Sequence, residues 1–121
     1  MHSTIIVDDE WQNLALMRLL LERSSHYRIV GAYSNALEAL DNIEAIQPNI
    51  VFLDIEMPRM NGIELARYIQ ERSKRTEIVF VTAYNKYIVE ASEVSVLDVI
   101  LKPVSLNAIA RVTKLLEARS G

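Results

Sequence analysis

The sequence predicts an α/β/α sandwich, a sheet of five parallel strands covered by helices on both faces. Three observations carry this. Ile50-Val51-Phe52-Leu53 is a continuous apolar run ended by Asp54, and Thr4-Ile5-Ile6-Val7 is a second one ended by Asp8-Asp9-Glu10. Runs without polar alternation mark strands buried on both faces, which belong to parallel sheets clad in helices. Finally, short apolar runs alternate with segments of helical periodicity along the whole chain, the pattern of parallel strands joined by right-handed crossovers.

The elements follow in order. After strand one, Thr4 to Val7, the residues Leu14, Met17, Leu20 and Leu21 recur at helical steps, and Ser24-Ser25 punctuate the end. Arg28 to Tyr33 reads as strand two. Ser34 or Asn35 can cap a helix carrying Leu37, Leu40, Ile43 and Ile46 on one stripe, closed by Pro48. Beyond the central strand and the Pro58 to Gly62 turn, Ile63, Leu65, Ala66 and Ile69 mark a third helix with a basic, solvated end at Arg72 to Arg75. Glu77 to Val81 is strand four, ending in Thr82-Ala83, and Lys86 to Glu93 is read as a short helix. Val96 to Leu101 is strand five, ending in Lys102-Pro103. Leu106, Ile109, Val112, Leu115 and Leu116 form the stripe of the last helix.

Composition bounds the function. A chain of 121 residues with 50% hydrophobic content suits a single globular domain spanning 1–121. A net charge of -3 without a basic cluster argues against nucleic-acid binding by this segment. No cysteine is present, which excludes disulfides, thiolate metal sites and a thiol nucleophile. No apolar run approaches the ~18 residues of a membrane span and no signal peptide is visible, so a cytoplasmic location is expected.

Four strand ends carry residues able to do chemistry: Asp8 and Asp9, Asp54, Thr82, and Lys102. If the strand order is 2-1-3-4-5, all of them converge on one crevice at the carboxyl edge of the sheet. Three carboxylates there repel one another, at ~3 kcal/mol per pair for ~5 Å and an effective dielectric near 20. A bound cation relieves this. All-oxygen ligands point to a hard ion, and a site that keeps waters and awaits a phosphoryl oxygen suits Mg²⁺ better than Ca²⁺. Lys102 and the Thr82 hydroxyl can contact phosphoryl oxygens, and a carboxylate is a competent nucleophile toward phosphorus. Asp54, central among the tips, is the expected nucleophile, with the Asp8-Asp9 pair holding the ion. Each residue also has a plainer reading: a helix N-terminal acid pair for Asp8-Asp9, a helix cap for Thr82, a surface lysine before a proline turn for Lys102. His2 and His26 share no ligand spacing and read as solvated bystanders.

Taken together, Val7-Asp8-Asp9-Glu10, Leu53-Asp54-Ile55-Glu56-Met57-Pro58 with Asn61-Gly62, Val81-Thr82-Ala83 and Leu101-Lys102-Pro103 resemble the receiver domain of bacterial two-component response regulators. That resemblance implies a flavodoxin-like doubly wound (βα)5 sandwich of strand order 2-1-3-4-5, an order for which the chemotaxis receiver is a standing example. It implies that Asp54 accepts a phosphoryl group from a sensor histidine kinase, and that Mg²⁺ is held by Asp9, Asp54 and the backbone carbonyl of Glu56, with Asp8 assisting through water. Lys102 and Thr82 would contact the phosphoryl group, and the Lys102-Pro103 peptide would be cis. Such a domain phosphorylates and dephosphorylates itself and is a switch, not a turnover enzyme.

The stretch Thr82-Ala83-Tyr84-Asn85-Lys86-Tyr87, with Glu90-Ala91 and Leu97-Asp98, further resembles receivers joined to LytTR-type DNA-binding domains. An output domain of that kind, absent from these residues, and a homodimer on activation are the partners it implies. Val99 stands where receivers usually carry an aromatic residue, which shifts the expected moving part to Tyr84 and Tyr87. The competing expectation is a Mg²⁺-dependent phosphohydrolase with an aspartyl-phosphate intermediate, in which Glu56 would be the second acid.

Overall fold

The computed structural model describes residues 1–85 and 93–120. Its elements are β1 His2–Val7, α1 Trp11–Ser24, β2 Tyr27–Tyr33, α2 Ala36–Ile46, β3 Ile50–Asp54, α3 Gly62–Arg72, β4 Glu77–Thr82, β5 Asp98–Leu101 and α4 Leu106–Ser120. The short helix expected over Lys86 to Glu93 lies, except for Glu93, outside the described residues. The strands form one parallel sheet in the order β2-β1-β3-β4-β5. β1 and β3 are therefore neighbours, and the chain reverses its winding between them, the place where open sheets of this kind bind ligands.

Side-chain alternation along the strands divides the core into two layers. Ile5, Val7, Val51, Leu53 and Phe80 pack under α2 and α3, against Ala39, Ile43, Leu65 and Ile69. Ile6, Phe52, Val79 and Val81 pack on the other face, against Met17 and Leu21 of α1 and Ile109, Val112 and Leu116 of α4. Every residue of β3 is buried, as the unbroken apolar run required. Tyr27 joins the second layer: its ring meets Phe52 edge-on at 5.7 Å and its hydroxyl pairs with Thr113 at 2.8 Å.

Several expectations shift in detail. β5 begins at Asp98, so Val96 and Leu97 precede the strand. In α2 the buried face is Ala36, Ala39 and Ile43, while Leu37 is 45% exposed. Leu106 and Leu115 of α4 are likewise exposed. Ser73, inside the supposedly solvated Arg72 to Arg75 stretch, is buried, and its hydroxyl pairs with those of Thr76 and the Gln47 side chain. Of the two cap candidates for α2, Asn35 serves, accepting from the Glu38 N–H at 2.8 Å. The Lys102-Pro103 peptide is cis. Among the described residues no helix is long and apolar enough to cross a membrane.

Candidate functional site

Each candidate side chain reaches the site because a strand ends there. β1 delivers Asp8 immediately after Val7, and the register Val7 to Leu53 sets Asp54 level with it on the neighbouring strand. Asp54 in turn pairs with Val81, so Thr82 lies one residue further along β4. Thr82 pairs with Leu101, whose successor is Lys102, and the Lys102 N–H donates to the Thr82 carbonyl at 2.8 Å.

Carboxylate oxygens of Asp8, Asp9 and Asp54 lie within 4.8 Å of one another. Asp8 and Asp54 are only 4% and 5% exposed, so Asp54 is more deeply set than a residue projecting from a sheet edge would be, whereas Asp9 faces solvent. The Lys102 ammonium is the counter-charge. It donates to Asp8 Oδ2 at 3.0 Å and lies 3.6 Å from Asp54 Oδ2. Asp8 Oδ1 accepts from the Glu10 N–H at 2.9 Å and, at 3.4 Å, from the Asn13 amide. Asp54 Oδ1 accepts from the Glu56 N–H at 3.3 Å. The Glu56 side chain itself is exposed.

The electrostatics follow from burial. Asp54 has its pKa pushed up to about 6, first by desolvation and then by the Asp8 charge, with Lys102 and the Glu56 N–H pulling the other way and Asp9 adding a smaller push. Burial alone would lower the pKa of Lys102, but its hydrogen bond to Asp8 and the charges of Asp54, Asp8 and Glu10 outweigh that and raise it. Lysine is thus held as a cation between two carboxylates. One ammonium cannot balance three carboxylates, and the donor set is all oxygen with no histidine or cysteine, so the residues present fit a hard divalent ion.

Thr82 is fully buried, and its Oγ1 accepts from the Tyr84 N–H at 3.2 Å. Trp11 opens α1 and is 76% exposed. Two contributors were not assigned from sequence. Asn13 reaches Asp8 from one turn into α1, a placement that helical spacing from Asp8 could have suggested. Gly62 abuts the backbone under the site: its N–H donates to the Ile55 carbonyl at 2.8 Å, and a methyl group on its α-carbon would collide with the Asp54 carbonyl oxygen.

Residues 4–114 match the response regulator receiver domain model. An uncharacterized response regulatory protein of Yersinia pestis is 44% identical over 111 residues, covering 92% of this chain and 46% of that protein. The transcriptional regulatory protein BtsR of Escherichia coli is 38% identical over 104 residues, covering 86% of this chain and 43% of BtsR. The chain thus spans less than half the length of these relatives. The response regulator TrrA of Thermotoga maritima, solved in complex with Mg²⁺-BeF, superposes with a TM-score of 0.85 at 30% identity, covering 96% of this chain and 99% of that one. A parallel sandwich with its acidic cluster at the switch point is the architecture of a phosphorylation-dependent signalling domain. This chain belongs to the response regulator receiver family.

Proposed function

We propose that Asp54 is the phosphoryl acceptor of this receiver, with a sensor histidine kinase as donor. The observation that carries this is the Asp54 carboxylate, buried at the tip of the central strand with the Lys102 ammonium 3.6 Å away and the carboxylates of Asp8 and Asp9 alongside. With its pKa at about 6, Asp54 is largely ionised at neutral pH and is a nucleophile. An Asp54 oxygen bonds to phosphorus as the phosphorus–nitrogen bond of a phosphohistidine breaks, and the bonding pair returns to the imidazole. Lys102 then stands beside the transferred group, and the Thr82 hydroxyl donates to one of its oxygens. Asp8, Asp9 and Asp54 with the Glu56 backbone carbonyl are the residues that would hold Mg²⁺. When bound, the ion supplies positive charge for the phosphoryl oxygens.

The signal leaves through Thr82. Its hydroxyl oxygen accepts from the Tyr84 N–H, so turning it toward a phosphoryl oxygen exchanges that bond for a new one and changes the hydrogen bonding of the Tyr84 backbone. Val99, half-buried and β-branched, has no ring to move. The surface that changes serves a DNA-binding output domain, of LytTR type on the resemblance carried by Thr82 to Tyr87, Glu90-Ala91 and Leu97-Asp98, or a second copy of the domain, in the cytoplasm. Incubation with acetyl phosphate and Mg²⁺ tests the reading. A switch acquires about one label per chain and holds it, whereas turnover of many equivalents without a persistent label would make the chain a phosphohydrolase.

A further inference from the structure

Between α1 and the segment that follows β5 lies a cleft of about 290 Å³. Its floor is core: Phe52, from the central strand, is 1% exposed, and Met17 of α1 is 5% exposed. Leu14 and Leu16 of α1 form one wall, and Pro103 and Val104 the other. Only one end is polar, where Asp8, Asn13 and Lys102 line it. An apolar cleft with a few polar groups gathered at one end is the general form of a small-molecule site, and this volume is at the small end of the usual range, room for one or two rings. It is about twice the size of an apolar cavity that holds benzene.

Charge decides the rest of the ligand. The polar end borders a group of three carboxylates balanced by one ammonium, so the field there favours a cation and opposes an anion. Lys102 touches both Asp8 and Asp54, and an incoming ammonium at Asp8 leaves it the second carboxylate. We infer that the cleft binds a small arylalkyl amine, its ring between Leu14 and Val104 above Phe52 and its ammonium on the Asp8 carboxylate. Because Asp8 also belongs to the acidic cluster, amine and Mg²⁺ oppose one another, and the ligand sets how readily the receiver is charged.

The binding step stands apart from phosphorylation and is measured without it. Tryptamine and indole-3-acetate carry the same ring with opposite charge, and each is titrated calorimetrically into Mg²⁺-free protein. Tryptamine is expected to bind one per chain, more than about tenfold tighter than indole-3-acetate, the difference that one favourable rather than unfavourable charge contact supplies. It should shift the methyl resonances of Leu14, Met17 and Val104 and weaken as Mg²⁺ is added. Val104→Trp, which fills the cleft, should abolish binding. Leu16→Trp, at a 39% exposed position on the opposite wall, serves if that variant does not fold. Lack of saturable tryptamine binding, equal affinity for both probes, or binding that survives the filled cleft would each overturn the assignment, the first leaving the cleft to an apolar side chain of a protein partner.

Discussion

Asp54 is the residue where burial and the proposed function pull against each other. Its pKa is about 6 in the folded chain against an ordinary 3.8. A carboxyl whose pKa is raised on folding holds its proton more tightly in the native state, so its contribution to stability is greatest at low pH and is lost as pH climbs from about 4 to about 6. That loss is on the order of 3 kcal/mol. Asp54→Asn removes it. In the absence of divalent ions the variant should be the more stable protein at pH 7, with its advantage shrinking as pH falls through that window, as urea titrations at a series of pH values would show. A variant much less stable than the parent at pH 7 would make Asp54 a structural partner. Two glycines give a matched comparison of backbone approach. Gly62→Ala drives a methyl into the Asp54 carbonyl and the Ile55 backbone, which cannot yield, and should cost more than about 2 kcal/mol. Gly31→Ala meets only the end of the Tyr33 ring, which can swing aside, and should stay within about 1 kcal/mol.

At the scale of elements, α3 is the part that braces the site from below. Asn61 accepts from the Glu64 N–H at 2.9 Å while the Glu64 carboxylate accepts from the Asn61 N–H at 3.1 Å, a reciprocal cap that fixes the helix start beside Gly62. Asn61→Ala should lower stability by about 1 kcal/mol in denaturant titrations, and an unchanged midpoint would show that the Gly62 contact alone holds the turn. The elements were legible where a physical signal is local. Unbroken apolar runs located β1, β3 and β4, and turn chemistry located their ends. α2 shows what such patterns hide: its buried face rests on Ala36 and Ala39, and weighting large side chains drew attention to Leu37, which is exposed. The sequence extends β5 two residues too far because Val96 and Leu97 are apolar and half-buried; the Leu97 N–H does donate to the Ile78 carbonyl at 2.7 Å, but the strand begins only at Asp98. Strand order leaves no periodic trace at all and came only with the family resemblance. The same limit applies to the site. Its residues were recognisable as strand-end acids and a lysine, but the bond from Lys102 to Asp8 spans 94 residues and depends on the tertiary fold.

The whole molecule is coupled to the site because β1, β3, β4 and β5 all end there. An ion that binds only the folded chain stabilises it by about 2.7 kcal/mol at a hundredfold excess over its dissociation constant, roughly a 10 °C rise in Tm for a domain of this size. Millimolar Mg²⁺ should produce such a rise and Asp9→Asn should lose most of it; equal responses would remove Asp9 from the ion's ligands. Phosphorylation is proposed to fall on Asp54, and chemistry can read that position directly. After incubation with acetyl phosphate and Mg²⁺, borohydride reduces an aspartyl phosphate to homoserine, which peptide mass spectrometry locates in the sequence. Homoserine is expected at position 54 alone, with none in Asp54→Asn. Homoserine at position 8 or 9 in the parent protein, or labelling that persists undiminished in Asp54→Asn, would contradict it.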